Sequence, residues 1–304
     1  MERIIEVKNL RKNYGSVQAV KNISFYVEQG KLFSFLGPNG AGKSTTIDIL
    51  CTLLAFDEGE VTVNGQQMGD NDEAIRHSIG VVFQDSVLDT LLTVEENLKL
   101  RAGFYFKDKQ KINQAVRNAA IATDVTGFIN RPYGKLSGGQ RRRADIARAL
   151  IHTPKILFLD EPTTGLDPQT RKNVWNMIQE LKEKTGMTVF LTTHYMEEAA
   201  NSDYVIVIDR GEIVAKGTPA ELKAEYANDL LRLICKDEKG LRGALDETHC
   251  DYEQVADQII VKLSGTMSAL PILKTCSAYI NGFEVLRGTM DDAFIAITGK
   301  EMRE

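Results

Sequence analysis

Apolar residues along this chain fall into short runs that end in polar stops. Ile23, Phe25 and Val27 alternate with Ser24, Tyr26 and Glu28, the period of a half-buried strand, so residues 1 to about 30 read as antiparallel strands. Residues 31–36 (KLFSFL), 79–83, 156–159 and 188–193 are near-continuous apolar runs of strand length, as buried parallel strands require. Helical spacing fills the stretches between them. It appears in Ile47, Ile49, Leu50, Leu53 and Leu54, then in Val94, Leu98 and Leu100. It recurs in Ala144, Ile146, Ala147 and Leu150, and in Val174, Met177, Ile178 and Leu181. Asp167-Pro168 predicts a helix cap with proline at the first helical position, and Trp175 reads as packing. Residues 60–65 end in Asn-Gly, a hairpin turn, and 204–209 and 212–216 form a second hairpin across Arg210-Gly211. Thr218-Pro219-Ala220-Glu221 is a capping box.

The stretch from Asp85 to about Arg131 is polar and mostly helical, which suggests a helical subdomain on the flank of the sheet. Past Lys223 the texture changes. Residues 230–235, 259–263 and 283–286 read as strands, and 241–246, 268–274 and 291–297 as helices, the last capped by Thr289. The expected organisation is a domain over 1–225 and a small α/β accessory domain over 226–304. The fold class is α/β, with a mainly parallel core sheet, an antiparallel β subdomain and a helical subdomain.

Composition narrows the classes. The hydrophobic fraction of 43% is ordinary for a globular protein, and the net charge of −5 lacks the basic footprint of a duplex-binding protein. No nucleic acid is expected as a partner. Arg141-Arg142-Arg143 reads as a solvated helix face. Cys51, Cys235, Cys250 and Cys276 lie far apart without C-x-x-C pairing, so reduced thiols of a cytosolic protein are expected. The start, Met1-Glu2-Arg3-Ile4-Ile5-Glu6, is too charged for a secretory signal, and no apolar run approaches the ~20 residues that span a bilayer.

The candidate chemistry lies at the polar stops. Gly37-Pro38-Asn39-Gly40-Ala41-Gly42-Lys43-Ser44-Thr45 fits G-x-x-x-x-G-K-[ST] between a strand and a helix, the context in which glycine amides and a helix N-terminus cradle phosphates. Lys43 would reach the β- and γ-phosphates, and Ser44 would ligate Mg²⁺. Asp160 and Glu161 end another strand. Beside a phosphate loop, Asp160 points to Mg²⁺ and Glu161 to an attacking water. Ser137 can cap a helix whose start is bared by Gly138 and Gly139, either a second anion site or simply a loop. Tyr14 either stacks on a purine or is an ordinary turn aromatic. Four apolar strands thus end in Gly37, Gln84, Asp160 and His194, and in open α/β sheets the ligand lies beyond the carboxyl ends of the strands.

With these residues in place, the chain resembles the ATP-binding subunits of ABC transporters over residues 1 to about 225. Gly37 to Thr45 matches Walker A, and Ile156 to Glu161 matches Walker B with its glutamate. Leu136-Ser137-Gly138-Gly139-Gln140 is the full signature sequence. The resemblance implies a Q-loop at Gln84, which also faces Mg²⁺, a D-loop at Asp167 for communication within a dimer, a switch histidine at His194 that contacts the γ-phosphate, and adenine stacking on Tyr14. The residues after the signature and around His194, and the tail ending Asp291-Asp292-Ala293-Phe294, are similar to the drug-export branch typified by daunorubicin-resistance ATPases. The resemblance further implies an ATPase that uses ATP and Mg²⁺, works as a dimer on separate transmembrane permease subunits, and lies on the cytoplasmic face of the membrane. In such a dimer Ser137, Gly138, Gly139 and Gln140 address the ATP of the partner subunit.

Three rivals are set aside. ABC-type ATPases of DNA repair carry a long coiled coil between the Walker motifs, whereas the stretch from Lys43 to Asp160 mixes helices and strands without sustained heptads. A small-molecule P-loop kinase has no use for Leu136 to Gln140, and a two-cassette translation factor needs a second motif set.

Overall fold

The computed structural model describes residues 2–299. The chain divides into two compact units, Met1–Lys216 and Gly217–Glu304. In chain order the first unit comprises β1 (Arg3–Tyr14), β2 (Val17–Glu28), β3 (Leu32–Leu36), α1 (Lys43–Leu50), β4 (Glu58–Val63), β5 (Gln66–Gln67), α2 (Asp72–Ser78), β6 (Ile79–Val82), α3 (Val94–Gly103), α4 (Lys109–Ala122), α5 (Gly138–Leu150), β7 (Ile156–Asp160), α6 (Pro168–Thr185), β8 (Thr188–Thr193), the one-turn α7 (Met196–Ala199), β9 (Tyr204–Asp209) and β10 (Glu212–Gly217).

Among the described residues one sheet runs in the order β10-β9-β3-β8-β7-β6, and β9 through β6 pair in parallel. Every residue of β3, β7 and β8 is buried, because the sheet is covered on both faces, by α1 and the antiparallel strands on one and by α6 on the other. Phe33, Phe35, Phe158 and Phe190 pack on one face together with Ile47 of α1, and Leu157, Leu159, Val189 and Leu191 meet α6 on the other. The antiparallel sheet β2-β1-β4-β5 is separate. Its hairpin turns with positive φ at Asn64 (49°) and Gly65 (74°), and β9 joins β10 through Arg210 (49°) and Gly211 (82°), as the two Gly-containing turns predict.

A helical cluster of α3, α4 and α5 buries Val94, Leu98, Ala102, Val116 and Ala120. Leu100, expected on the same stripe, is 60% exposed. It lies half a turn from Leu98, and Ala102 takes the inner position. The helix after the glycine loop is likewise shorter than the apolar spacing predicts: α1 stops at Leu50, and Leu53 is exposed.

The second unit holds α8 (Pro219–Tyr226), β11 (Asp229–Cys235), α9 (Glu238–Thr248), β12 (Tyr252–Val255), β13 (Gln258–Leu263), α10 (Ala269–Cys276), β14 (Ile280–Leu286) and α11 (Met290–Thr298). Its sheet, in the order β12-β13-β11-β14, is antiparallel at every pairing. Leu231, Leu233, Ile259, Val261 and Leu263 alternate onto the face covered by α9 and α10. β12 gave no apolar alternation because most of its residues are exposed. Helix α8 packs with α11, so the unit begins ahead of the boundary expected at 225. The caps expected at Thr218 and Thr289 both form full capping boxes.

Candidate functional site

The loop from Gly37 to Gly42 leaves the carboxyl end of β3 and is pressed against backbone on two sides. A Cβ on Gly37 would stand 2.3 Å from the Ile208 carbonyl, and one on Gly42 (φ +105°) would stand 2.4 Å from the Ala19 carbonyl. Neither position admits a side chain. The turn is closed by the Ala41 amide, which donates to Pro38 (3.1 Å), and by the Gly211 amide, which donates to Ala41 (3.0 Å). Gly42 caps α1 in the left-handed region without a side-chain hydrogen bond, so the leading amides of the helix are not taken up by a cap.

Lys43 is buried in this loop. Its Nζ donates to the carbonyls of Gly37 (2.7 Å) and Pro38 (3.3 Å) and lies 3.6 Å from Glu161 Oε1. Burial pushes the lysine below its usual range, while Glu161 and Asp160 pull the other way. Asp160, the last residue of β7, is buried and accepts hydrogen bonds from the hydroxyls of Thr192 (2.5 Å) and Ser44. Burial pushes its carboxyl up, Thr192 offsets part of this, and the neighbouring Glu161 charge adds to it.

In a regular strand Asp160 and Glu161 would face opposite sides of the sheet. The backbone avoids this by a left-handed residue: Glu161 has φ 44°, and its amide donates to both the carbonyl and the hydroxyl of Thr192 (3.1 Å each). Such a conformation in a non-glycine residue costs about 1–3 kcal/mol and persists only where neighbours enforce it. The kink brings both carboxylates to one cleft. Glu161 Oε2 lies 3.2 Å from His194 Nδ1 and accepts from the Thr164 hydroxyl (3.3 Å). The His194 hydrogen bond is the main force holding the Glu161 carboxyl below its usual range; burial opposes it and Lys43 assists.

The polar stops therefore meet at the carboxyl edge of four adjacent parallel strands, β3, β8, β7 and β6. Lys43, Ser44, Asp160, Glu161 and His194 form one connected group. Gln84 stands just past β6, its carbonyl held by Arg142 Nη2 (3.1 Å). Tyr14 ends β1, half exposed, with Lys12 Nζ 5.7 Å from its ring centre. Ser137 caps α5: its hydroxyl accepts from the Gln140 amide (3.4 Å), and Gln140 Oε1 accepts from the Ser137 amide (3.2 Å). Gly138 and Gly139 pack against the loop and helix start that Asp167 caps; a Cβ on Gly138 would meet Leu166 at 3.1 Å, and one on Gly139 would meet Thr170 at 2.3 Å. Among the described residues, no hydrogen bond or ion pair joins this second helix start to the Lys43–Glu161 group.

One expectation is corrected here. Arg142 is not solvated: it is 8% exposed and donates to the carbonyls of Phe83 (2.7 Å) and Gln84. Arg148 donates to Val81 (2.5 Å), and His152 Nε2 donates to Ile79 (2.9 Å). Three side chains from α5 and the residues just after it thus cap the alternate carbonyls of Ile79, Val81 and Phe83, along and just past β6, the edge strand of the sheet. Asp145 on the same helix accepts from Ser86 (2.6 Å) and from the Tyr133 hydroxyl (3.1 Å), and burial pushes that tyrosine up to about 12. Sequence reasoning missed this network, because a lone Asp between Ala144 and Ile146 carries no spacing signal.

A lysine-bearing glycine loop turned onto paired carboxylates at the carboxyl edge of a parallel sheet defines a P-loop nucleoside triphosphatase. The comparisons specify which kind. A family model described as ABC transporter matches residues 20–164. The chain is 36% identical to the daunorubicin/doxorubicin resistance ATP-binding protein DrrA of Streptomyces peucetius, over 98% of this chain and 93% of that protein. It is 39% identical to the probable multidrug ABC transporter ATP-binding protein YbhF of Escherichia coli over 75% of this chain, but that match spans only 39% of the length of YbhF. Among solved structures it is similar to cbiO1 of Clostridium perfringens, part of the ABC transporter complex cbiONQ, with TM-score 0.69 and 30% identity over 74% of this chain and 92% of the other. It is also similar to the dimeric ATP-binding cassette MJ0796 bound to ADP and Pi, with TM-score 0.64 and 31% identity over 70% and 98%. The chain belongs to the ATP-binding proteins of the ABC transporter family, whose domains bind and hydrolyse ATP.

Proposed function

We propose that this chain is the ATP-hydrolysing subunit of a membrane exporter of drug-like or lipophilic compounds, working as a dimer with separate transmembrane permease subunits on the cytoplasmic face of the membrane. The relatives named for drug resistance support the export reading. None of the described helices is long and apolar enough to cross a membrane, in keeping with a spanning path supplied by another chain. The second unit is read as an accessory domain.

The observation that carries the catalytic reading is the connected group Lys43–Glu161–His194 beside Asp160. The donor set fits Mg²⁺: Ser44 and Asp160 present hard oxygens in mutual contact, and that ion is usually held by one or two carboxylates together with substrate phosphates. Among the described residues no cluster of three or more His, Cys, Asp or Glu forms an all-protein cage. Gln84 would add a further oxygen. Bound there, the ion would neutralise charge developing on the phosphates. Lys43 would hold the β- and γ-phosphates, and Glu161, kept ionised by His194 and Lys43, would orient a water and accept its proton. His194 would then exchange Glu161 for the γ-phosphate. Tyr14 would stack on the adenine. Ser137, Gly138, Gly139 and Gln140 would complete the site of the partner subunit, with Asp167 at the seam. Positioning and charge stabilisation carry most of such a phosphoryl transfer.

Glu161→Gln tests this reading. Turnover should fall by about 10²–10⁴, the worth of general-base assistance, while ATP binding stays within a few fold of the wild type. Wild-type turnover would remove Glu161 from the role. As a second arm, the chain in its own cells should sediment with membranes, and recovery wholly in the supernatant would count against the exporter.

A further inference from the structure

Glu198 has none of the roles assigned above, yet it is buried at 3% exposure on the one-turn helix after His194. Both carboxylate oxygens are used. Oε1 accepts a short hydrogen bond from the Thr163 hydroxyl, and Oε2 accepts from the Thr193 hydroxyl at 2.6 Å. Thr163 and Thr193 are themselves buried, at 0% and 1% exposure. Thr193 Oγ1 in turn accepts from the Tyr195 amide at 2.9 Å. One carboxylate therefore bridges the loop that carries Glu161 and the loop that carries His194.

We propose that Glu198 is a positioning residue for hydrolysis, holding the Glu161 loop in register with the His194 loop. The assignment rests on the roles given above to Glu161 and His194. Glu161 sits at φ 44°, a conformation that its surroundings must enforce from both sides. On the strand side, Thr192 takes its amide. On the loop side, the anchor two residues on is Thr163, and Thr163 is fixed by Glu198. The same carboxylate sets Thr193, the residue before His194. The 3.2 Å approach of His194 to Glu161 thus depends on a clamp that touches neither of them by hydrogen bond. A carboxylate suits this task because it is acceptor-only and takes both hydroxyl protons at once. Its burial is costly and pushes the carboxyl up, while the two threonines and the charge of Arg171 offset it.

The test uses the full chain, with ATP–Mg²⁺ as the probe. A misplacement of about 1 Å in a reacting constellation costs roughly 10²-fold. Glu198→Ala should therefore lower kcat about 10–100-fold, with ATP affinity within threefold of wild type. Glu198→Gln, which keeps one acceptor and supplies a donor for the other hydroxyl, should recover kcat to within about fivefold. The His194 ring resonance, followed by NMR on histidine-labelled protein, should move in Glu198→Ala and return toward the wild-type position in Glu198→Gln. Thr163→Val, which cuts only the Glu161 side of the clamp, should lower kcat in the same direction; it decides the matter if Glu198→Ala does not fold. Wild-type kcat in the folded Glu198→Ala and Thr163→Val variants would overturn the proposal, as would a loss of ATP affinity equal to the loss of kcat or a Glu198→Gln variant as slow as Glu198→Ala. If Glu161→Gln is inactive while Glu198→Ala is fully active, only the Glu198 assignment falls. If Glu161→Gln turns over normally, the reading beneath it falls.

Discussion

The two glycine-bearing helix starts of the first unit are alike in placement and opposite in construction. Both end a loop, both open a helix, and both carry the positive end of a helix dipole. At α1 the cap is Gly42 at φ +105°, with no side-chain bond, and the loop is held by close backbone approach to Ala19 and Ile208. At α5 the cap is Ser137 at φ −67°, whose capping box satisfies two of the helix's own donors. Arg142, Arg148 and His152 then moor that helix to the edge strand β6. The first start is a cradle: no side chain caps its leading amides, and the body of the fold closes around it. The second is self-supporting and presents only what its own cap leaves over. This is what the proposal of a shared site needs, since a surface addressed to another subunit must be stable before the partner arrives.

The sharpest way to break the comparison is to damage each start in turn. Lys43→Ala removes a charged donor from the cradle and should weaken ATP binding about 10–100-fold, in line with roughly 1.5–3 kcal/mol for a charge-assisted hydrogen bond, and abolish turnover. Gly138→Asp should abolish turnover as completely yet leave ATP affinity near wild type, because the cradle is intact; the near contact with Leu166 at 3.1 Å needs only a small adjustment. Mixed together, the two variants should regain partial ATPase activity through heterodimers holding one complete site. Full activity in purified Gly138→Asp protein would end the shared-site reading.

Stability separates the two starts next. Gly42→Ala forces a side chain into a left-handed residue and against the Ala19 carbonyl at 2.4 Å, so it should cost more than the 1–3 kcal/mol of the backbone strain alone. Ser137→Ala removes only the cap and should cost about 1 kcal/mol. Urea unfolding of both variants checks the order, and equal losses would mean that the two starts are built alike after all.

The smallest effect concerns the mooring. His152 donates to Ile79, stacks on Tyr105 at 4.1 Å and is held by burial at about 4. The unfolded chain takes up that proton near the ordinary value of 6.5, before the folded chain does. Its contribution to stability is therefore fully present above 6.5 and is lost as the pH falls toward 4. Denaturant midpoints measured across this window should decline in the wild type and decline less in His152→Gln. An unchanged slope in the variant would remove His152 from the mooring.

Much of this site was legible in the chain. The apolar runs marked β3, β6, β7 and β8 because strands buried on both faces need nearly every residue apolar. Gly37, Asp160 and His194 stood out as the polar residues that stop those runs. Other features had no such signature. Arg142 resembles its exposed neighbours, and only the position of β6 as an edge strand makes it a buried donor. Glu198 is one of two adjacent glutamates, and nothing local tells which one turns inward onto Thr163 and Thr193. Strands and helices alternate along the second unit, yet its strands pair only antiparallel, since pairing partners are chosen by topology and not by the strand's own residues.

What the sequence alone determined is therefore the set of elements and the chemistry at their ends: periodicity, caps, turns and a phosphate loop are local, and each is written in a few neighbouring residues. The tertiary structure decided which ends meet. It placed β3, β8, β7 and β6 side by side, kinked Glu161 to φ 44° so that two adjacent carboxylates face one cleft, and turned Glu198 inward to bridge the two loops. Those contacts gather residues from distant parts of the chain, as with His194 and Lys43 on either side of Glu161. No local pattern encodes them, because the free energy that holds a strained or buried charged group comes from the whole fold around it.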